Sequence, residues 1–192
     1  MACITEIAKN VIYDCSTIGS GGLEIRAWFF NRRNIATITY HGTNLSLVTG
    51  LTLAPGKYAY TVTGVKKSLQ YKSTKVSSDD MPDKYQHYFK FKAYEFSSED
   101  VENLDALDDV VVVVDSKDKD TNNDGTFRVL GIDYGLYPTT DTMRANTNSG
   151  SRDIELQSMA DQGEKFSKYN IDAADAGVYQ DTIDLLDGLL EP

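Results

Sequence analysis

Nucleophilic or acid–base chemistry in this chain would have to draw on Cys15, His41 and His87, because a thiol activated by an imidazole is the simplest pair these residue types offer. Nothing in their local sequence assembles them. His41 opens a turn signal, His41-Gly-Thr-Asn44, and His87 lies near the start of a strand, so both are expected in structural or solvent-facing roles. Cys15 reads as a small inert thiol. The run Gly19-Ser-Gly-Gly22 lacks the Lys-Ser/Thr that a phosphate-binding loop requires, and it does not sit between a strand and a helix. Carboxylates are plentiful, at 29 Asp and Glu, but no pair is set apart by its surroundings. The expectation is a chain with no catalytic residues, no cofactor and no enzymatic activity.

One segment has the residue types for a hard cation. Asp120-x-Asn122-x-Asp124-Gly125 matches the opening of a calcium loop, with oxygen ligands at alternating positions and a glycine for the sharp turn. The match then stops. The position for the bidentate carboxylate is Gly131, flanking helices are missing, and Lys117 and Lys119 oppose a cation. A solvated hairpin tip built on Asn123-Asp-Gly125 is the preferred reading, and no metal ligands are assigned.

The surrounding elements are mostly strands. Cys3–Ala8 and Val11–Cys15 are short candidates, and Leu23–Phe30 alternates, with Leu23, Ile25, Ala27 and Phe29 on one side. Ile35–Tyr40 follows the turn Asn31–Asn34. Leu45–Leu53 and Lys57–Thr63 flank Ala54-Pro-Gly56 and read as a hairpin. Gly64–Asp83 is expected to be a long loop excursion, and Tyr85–Phe96 a long strand with Phe89, Phe91 and Ala93 on one face. Ser97-x-x-Asp100 is a capping pattern, so a short helix is expected from Ser98 to about Asp108. Val110–Asp115 is an unbroken β-branched run that predicts a buried strand, paired with Thr126–Asp133. Residues 138–150 read as a polar loop, and Arg152–Met159 as a strand with Ile154 and Leu156 inward. Asp161–Asn170 is polar, and Ala174–Leu190 carries Val178, Thr182, Leu185, Leu186 and Leu189 at helical spacing.

Charge is divided along the chain. Residues 1–96 carry 12 Lys and Arg against 7 Asp and Glu, a net +5; residues 97–192 carry 7 against 22, a net −15. Such a split suggests faces that could attract other copies, set against the plainer alternative of a solvated acidic surface. The overall −10 argues against a simple nucleic-acid binder. The longest apolar run, Val110–Val114, is far short of a membrane span, so no membrane insertion is expected. The opening residues show no secretory pattern and two cysteines make no disulfide framework, which together suggest synthesis in a reducing compartment.

The order of these features resembles the tail-tube-like virion proteins of tailed bacteriophages, particularly those of Bacteroidota and crAss-like phages. The residues that carry the resemblance are Asp14-Cys15, Gly21–Arg26 leading into Trp28, Ile35–Tyr40, Leu51–Tyr58, Tyr88–Phe96, Leu104–Leu107 running into Val110–Val114, and Gly125–Gly131 with Asp133–Leu136. It covers roughly residues 3–160, and the segment after Met159 departs from it. The resemblance implies a mainly β fold, a tail-tube-like β-sandwich or half-barrel with one flanking helix, assembled into homo-oligomeric rings around a DNA channel. The partners would be other tail, neck or portal proteins, with DNA passing without adhesion. The chain would reside in the virion after synthesis in the host bacterial cytoplasm. It divides into a β domain, 1–160, and a C-terminal extension, 161–192, with an appended amphipathic helix. Two subunit interfaces are expected. Lys66, Lys67, Lys72 and Lys75 of the long excursion would face acids of a neighbouring ring, such as Asp105, Asp108 or Asp109. Val178, Leu185, Leu186 and Leu189 would dock on another subunit, the alternative being that this helix folds back on its own sandwich. A second function class is an extracellular or cell-surface β-sandwich module that uses Asp118–Asp124 for calcium.

Overall fold

A computed structural model describes residues 22–64, 68–78, 81–93, 98–117, 126–143, 151–159 and 163–192. The candidate strands at 3–8 and 11–15, the Ser97 cap and the Asp118–Asp124 segment lie outside the described residues.

The fold is mainly β, and the described residues form two sheets and two α-helices. The strands are β1 (Leu23–Asn31), β2 (Ile35–Tyr40), β3 (Leu47–Leu53), β4 (Tyr60–Thr63), β5 (Gln70–Ser78), β6 (Met81–Ala93), β7 (Val110–Ser116), β8 (Phe127–Leu130), β9 (Tyr137–Met143), β10 (Arg152–Gln157) and β11 (Tyr169–Ile171). The helices are α1 (Ser98–Asp105) and α2 (Tyr179–Asp187). One sheet has the order β2-β3-β11-β8-β7-β1-β4, and the other β5-β6-β10-β9. Among the described strands, only β11 and β3 pair in parallel. Among the described residues, no helix is long and apolar enough to cross a membrane.

The valine run explains the layering. Every residue of β7 is buried. Val110, Val112 and Val114 join Ala27, Phe29 and Leu130 against Phe89, Phe91, Ile154 and Leu156 of the four-stranded sheet. Val111 and Val113 join Trp28, Phe30, Phe127 and Val129 on the opposite face, where Leu186 of α2 also packs. A strand covered on both faces has no polar side, so it reads as a continuous apolar run rather than an alternation. Between the sheets, Phe29 meets Phe89 and Phe91 edge-on at 5.7 and 5.3 Å.

Several expectations are corrected. Gly64–Asp83 is not a loop: it holds β5, which forms a hairpin with β6. As an edge strand that is wet over most of its surface, β5 lacks the apolar periodicity that would mark it. Residues 138–150 are likewise not all loop, because β9 pairs with β10 along the other edge. The strands flanking Ala54-Pro-Gly56 do not form a hairpin. Instead β3 pairs with β2 and β11, while β4 pairs with β1 at the far end of the same sheet. The alternation of β1 breaks at a register shift between Leu23 and Ala27, and Ile25 is left 51% exposed.

The C-terminal segment is the largest correction. Within the stretch expected to be an appended extension, β11 lies between β3 and β8 inside the seven-stranded sheet. The helix then folds back over its own sandwich. Leu186 is fully buried, and Leu185 and Leu189 pack on the same core. Asp187 anchors the helix, accepting from the Arg26 guanidinium at 2.6 and 3.1 Å and from Trp28 Nε1 at 2.9 Å. At its start the Tyr179 ring stacks on Phe127 at 5.1 Å and its hydroxyl donates to Asp115 at 2.5 Å.

Leu186→Ala should therefore destabilise dilute, monomeric protein by about 2–5 kcal/mol, the range for emptying a closed leucine site. Urea unfolding measures this. A variant with unchanged monomer stability would show instead that the helix serves a partner.

Candidate functional site

The residues expected to form subunit contacts are scattered by the fold. Lys66 and Lys67 lie outside the described residues. Lys72 and Lys75 are exposed on β5, the outer strand of the four-stranded sheet. Lys75 Nζ pairs across the hairpin with Asp83 at 2.5 Å, and Lys72 Nζ stands 5.5 Å from the centre of the Tyr88 ring. Of the four apolar residues, Leu186 is sealed inside and Leu185 and Leu189 are partly covered by their own chain; Val178, just before α2, is 45% exposed.

The acids expected to meet those lysines are occupied within the chain. Asp109 is buried, with Arg32 at 2.7 Å and Arg33 at 3.1 Å. Tyr137 also donates to it, at 3.3 Å. Its backbone is held at φ 50°, a left-handed conformation that non-glycine residues adopt at some cost. Gly135 leaves room for this arrangement, since a Cβ there would strike the Asp109 carboxylate. Asp108 faces Arg33 at 3.8 Å, and Asp105 accepts from Arg152 at 2.5 Å.

Ion pairs within the fold take up part of the charge split. Arg26–Asp187, Arg32–Asp109, Arg33–Asp108, Lys90–Glu155 and Lys92–Asp153 each join a base of the first half to an acid of the second. The asymmetry along the sequence becomes stitching between the halves in the fold. On the outer face of the four-stranded sheet, Lys90 meets Glu155 at 2.6 Å and Lys92 meets Asp153 at 3.4 Å, so this face is largely neutralised. The Glu155 carboxyl is held below its usual range, chiefly by the Lys90 hydrogen bond, and Lys90 is raised by the same bond.

The histidines are placed by the backbone. His87 is fully buried. Its Nδ1 accepts from Gly131 N at 3.4 Å, which leaves Nε2–H to donate to the Phe166 carbonyl at 3.1 Å. Burial depresses its pKa and keeps the imidazole neutral. His41 Nδ1 accepts from Asn44 N at 3.1 Å, and its Nε2 stands 3.2 Å from Asp175. Cys15 lies outside the described residues. No group of three or more His, Cys, Asp or Glu that could hold a metal occurs among the described residues.

Beside His87 is a buried carboxylate that sequence reasoning missed. Glu164 is fully buried, and its oxygens accept the backbone N–H groups of Asp133 at 2.8 Å and Tyr134 at 3.2 Å. Its own backbone pairs in both directions with Tyr85. Asp133 accepts from the Tyr169 hydroxyl at 2.5 Å and from Lys165 N at 3.1 Å. This cluster ties the turn after β8 and the segment before β11 to β6. Burial pushes the Glu164 carboxyl up to about 7, and nearby Asp133 adds to the rise. Burial also raises the phenol of Tyr40, to about 12. Glu164 sits in a polar stretch with no local pattern around it, so no sequence signal could have found it.

The chain's remaining distinctive surface is edge. The four-stranded sheet ends in β5 on one side and β9 on the other. On β5, Gln70–Lys72, Thr74, Lys75 and Ser77 are exposed; on β9, Pro138–Asp141 are exposed. The β5–β6 hairpin also outruns the sheet, because β10 pairs with β6 only from Tyr88 to Ala93. No family model matches the chain, and no curated protein or solved structure matches it.

The Glu164 cluster fixes a pH dependence. The folded pKa of about 7 exceeds the ordinary 4.5, so the fold favours the neutral acid. That contribution is complete below pH 4.5, declines as pH rises, and is lost above about 7. Its full size is of order 3 kcal/mol at 1.36 kcal/mol per unit. Glu164→Gln, which cannot ionise, should remove this decline, although it surrenders one acceptor and starts lower at pH 5. Urea unfolding of both proteins at pH 5 and pH 8 tests this, since His87 is common to both and cancels in the comparison. Equal pH slopes would contradict it.

Proposed function

We propose that this chain is a non-enzymatic structural subunit that joins its copies edge to edge in a closed ring, as a tail-tube or tail-ring subunit of a tailed bacteriophage virion. The observation that carries the reading is the pair of edges, β5 and β9, that the described strands leave open on opposite sides of one sheet. Two unlike edges suit head-to-tail association, which closes into a ring when the rotation between neighbours divides a full turn. Ring closure would also pair backbone N–H and C=O groups that otherwise make such edges an aggregation hazard. The resemblance set out from the sequence supplies the virion setting, with other tail, neck or portal proteins as partners and synthesis in the host cytoplasm.

The outer face of the four-stranded sheet suits a channel wall. A basic wall would bind phosphates by releasing their counterions, and DNA could not slide past it. Lys90 and Lys92 on this face are instead paired to Glu155 and Asp153. The wall in this reading is a neutralised one.

Size-exclusion chromatography with light scattering, followed by electron microscopy, tests the proposal. Wild-type protein should form rings of uniform size. The double variant Lys72→Glu, Lys75→Glu should lose them while its melting temperature falls by only a few degrees, since both side chains are exposed. A strictly monomeric wild-type chain at high concentration, with no ring in any native particle, would overturn it.

A further inference from the structure

Arginines in this fold are matched to acids, with one exception among the described residues. Arg26, Arg32, Arg33 and Arg152 each hold a carboxylate. Arg128 holds none, although it is only 5% exposed. Its one hydrogen bond runs from Nη1 to the neutral amide oxygen of Asn170, at 2.6 Å. Its Nε is buried without an acceptor. Two residues earlier on the same strand face, Thr126 is 1% exposed and its Oγ1 is also buried without a partner. A buried guanidinium is costly unless an anion and further hydrogen bonds satisfy it.

The position of Arg128 places such an anion at the margin of the covered face, where entry requires local opening because Nε itself is closed to solvent. It faces the four-stranded sheet, because Leu130 packs between the sheets while its neighbours Phe127 and Val129 face α2. Its register partner on β7 is the fully buried Val114, and on β11 it is the half-exposed Asn170. Beyond β11 the same face of the sheet continues onto β3 and β2, where Thr37, Thr39 and Thr52 are exposed. Arg128 thus stands at the step where the second sheet stops covering the first. The Nε side of a guanidinium is the side that receives a carboxylate or phosphate in forked geometry.

We propose that Arg128, with the Thr126 hydroxyl beside it, anchors an oxyanion-binding site at this step. The ligand is a phosphate or carboxylate, taken either as a free anion or from a side chain of another copy. Arg128 supplies the charge and the donors, Thr126 a further donor, and Asn170 holds the guanidinium in plane.

Titration of inorganic phosphate at constant ionic strength, followed on the Arg128 Nε–Hε resonance, tests the site directly. A saturable shift, with a rise in melting temperature that sodium chloride does not reproduce, is expected for a free anion. If the carboxylate of another copy is the ligand, the resonance should instead move with protein concentration in phosphate-free buffer, and phosphate should reverse the movement. Arg128→Met, which lacks that resonance, should abolish the phosphate-dependent rise in melting temperature. Should that variant not fold, Asn170→Asp provides the second reading. It places a carboxylate on Arg128 from within, so it should raise the melting temperature and remove the response to added anion. Thr126→Val should weaken phosphate binding several-fold. An Arg128 resonance unmoved by both phosphate and protein concentration would overturn the proposal. So would an Asn170→Asp protein whose phosphate response matches the wild type.

Discussion

The fold depends on one constraint: a strand of consecutive valines, Val110–Val114, has to be kept from water on both faces. One sheet over it is not enough. The second sheet covers the Val110, Val112 and Val114 side, and α2 with its flanking residues covers the Val111 and Val113 side. Burying a valine or leucine side chain contributes roughly 1.5–3 kcal/mol, so leaving either face bare would forfeit much of what holds a domain of this size together. Both halves of the chain are drawn in, because the covers come from residues before and after the valines.

That requirement accounts for the C-terminal segment. Tyr169 and Ile171 complete the second core from within the sheet, and Leu186 closes it from above. The polar bonds follow the same logic. Arg26 and Trp28 hold Asp187 on the helix, and Asp115 holds Tyr179. Charged bases early in the chain meet acids late in it, as Arg32 does with Asp109 and Lys90 with Glu155. Part of the opposite charge along the sequence is therefore paired inside the subunit. Backbone is also left for contact with other molecules, at sheet edges such as β5 and β9 whose outer hydrogen-bonding groups the described strands leave open.

Much of this was legible in the residues themselves. A run of β-branched side chains has few alternatives to a buried strand, so β7 and its partner β8 were readable from composition alone. The alternation of Phe89 and Phe91 with Tyr88 and Lys90 set the faces of β6, and Ile154 with Leu156 set those of β10. Helical spacing of Thr182, Leu185 and Leu186 marked α2, although the helix is shorter than the expected Ala174–Leu190, and structural roles for His41 and His87 followed from the lack of any partner motif. Edge strands β5 and β9 were not legible, because strands that bury little need no hydrophobic period.

Local sequence determined which segments became strands or helices and which faces of them were apolar, since side-chain period and rotamer preference act within a few residues. Tertiary structure alone decided what each face meets. Whether the helix stripe covers its own core or a neighbour's depends on the surface that Trp28, Val111 and Phe127 jointly expose, and no window of sequence contains all three. Strand order is of the same kind: β11 enters between β3 and β8 because that gap completes the sheet, while its three residues carry no sign of it. Glu164 and Arg128 make the point for charge. Both are ordinary polar residues in sequence, and only the packing of distant strands around them makes one a carboxyl with a raised pKa and the other a buried guanidinium without an acid.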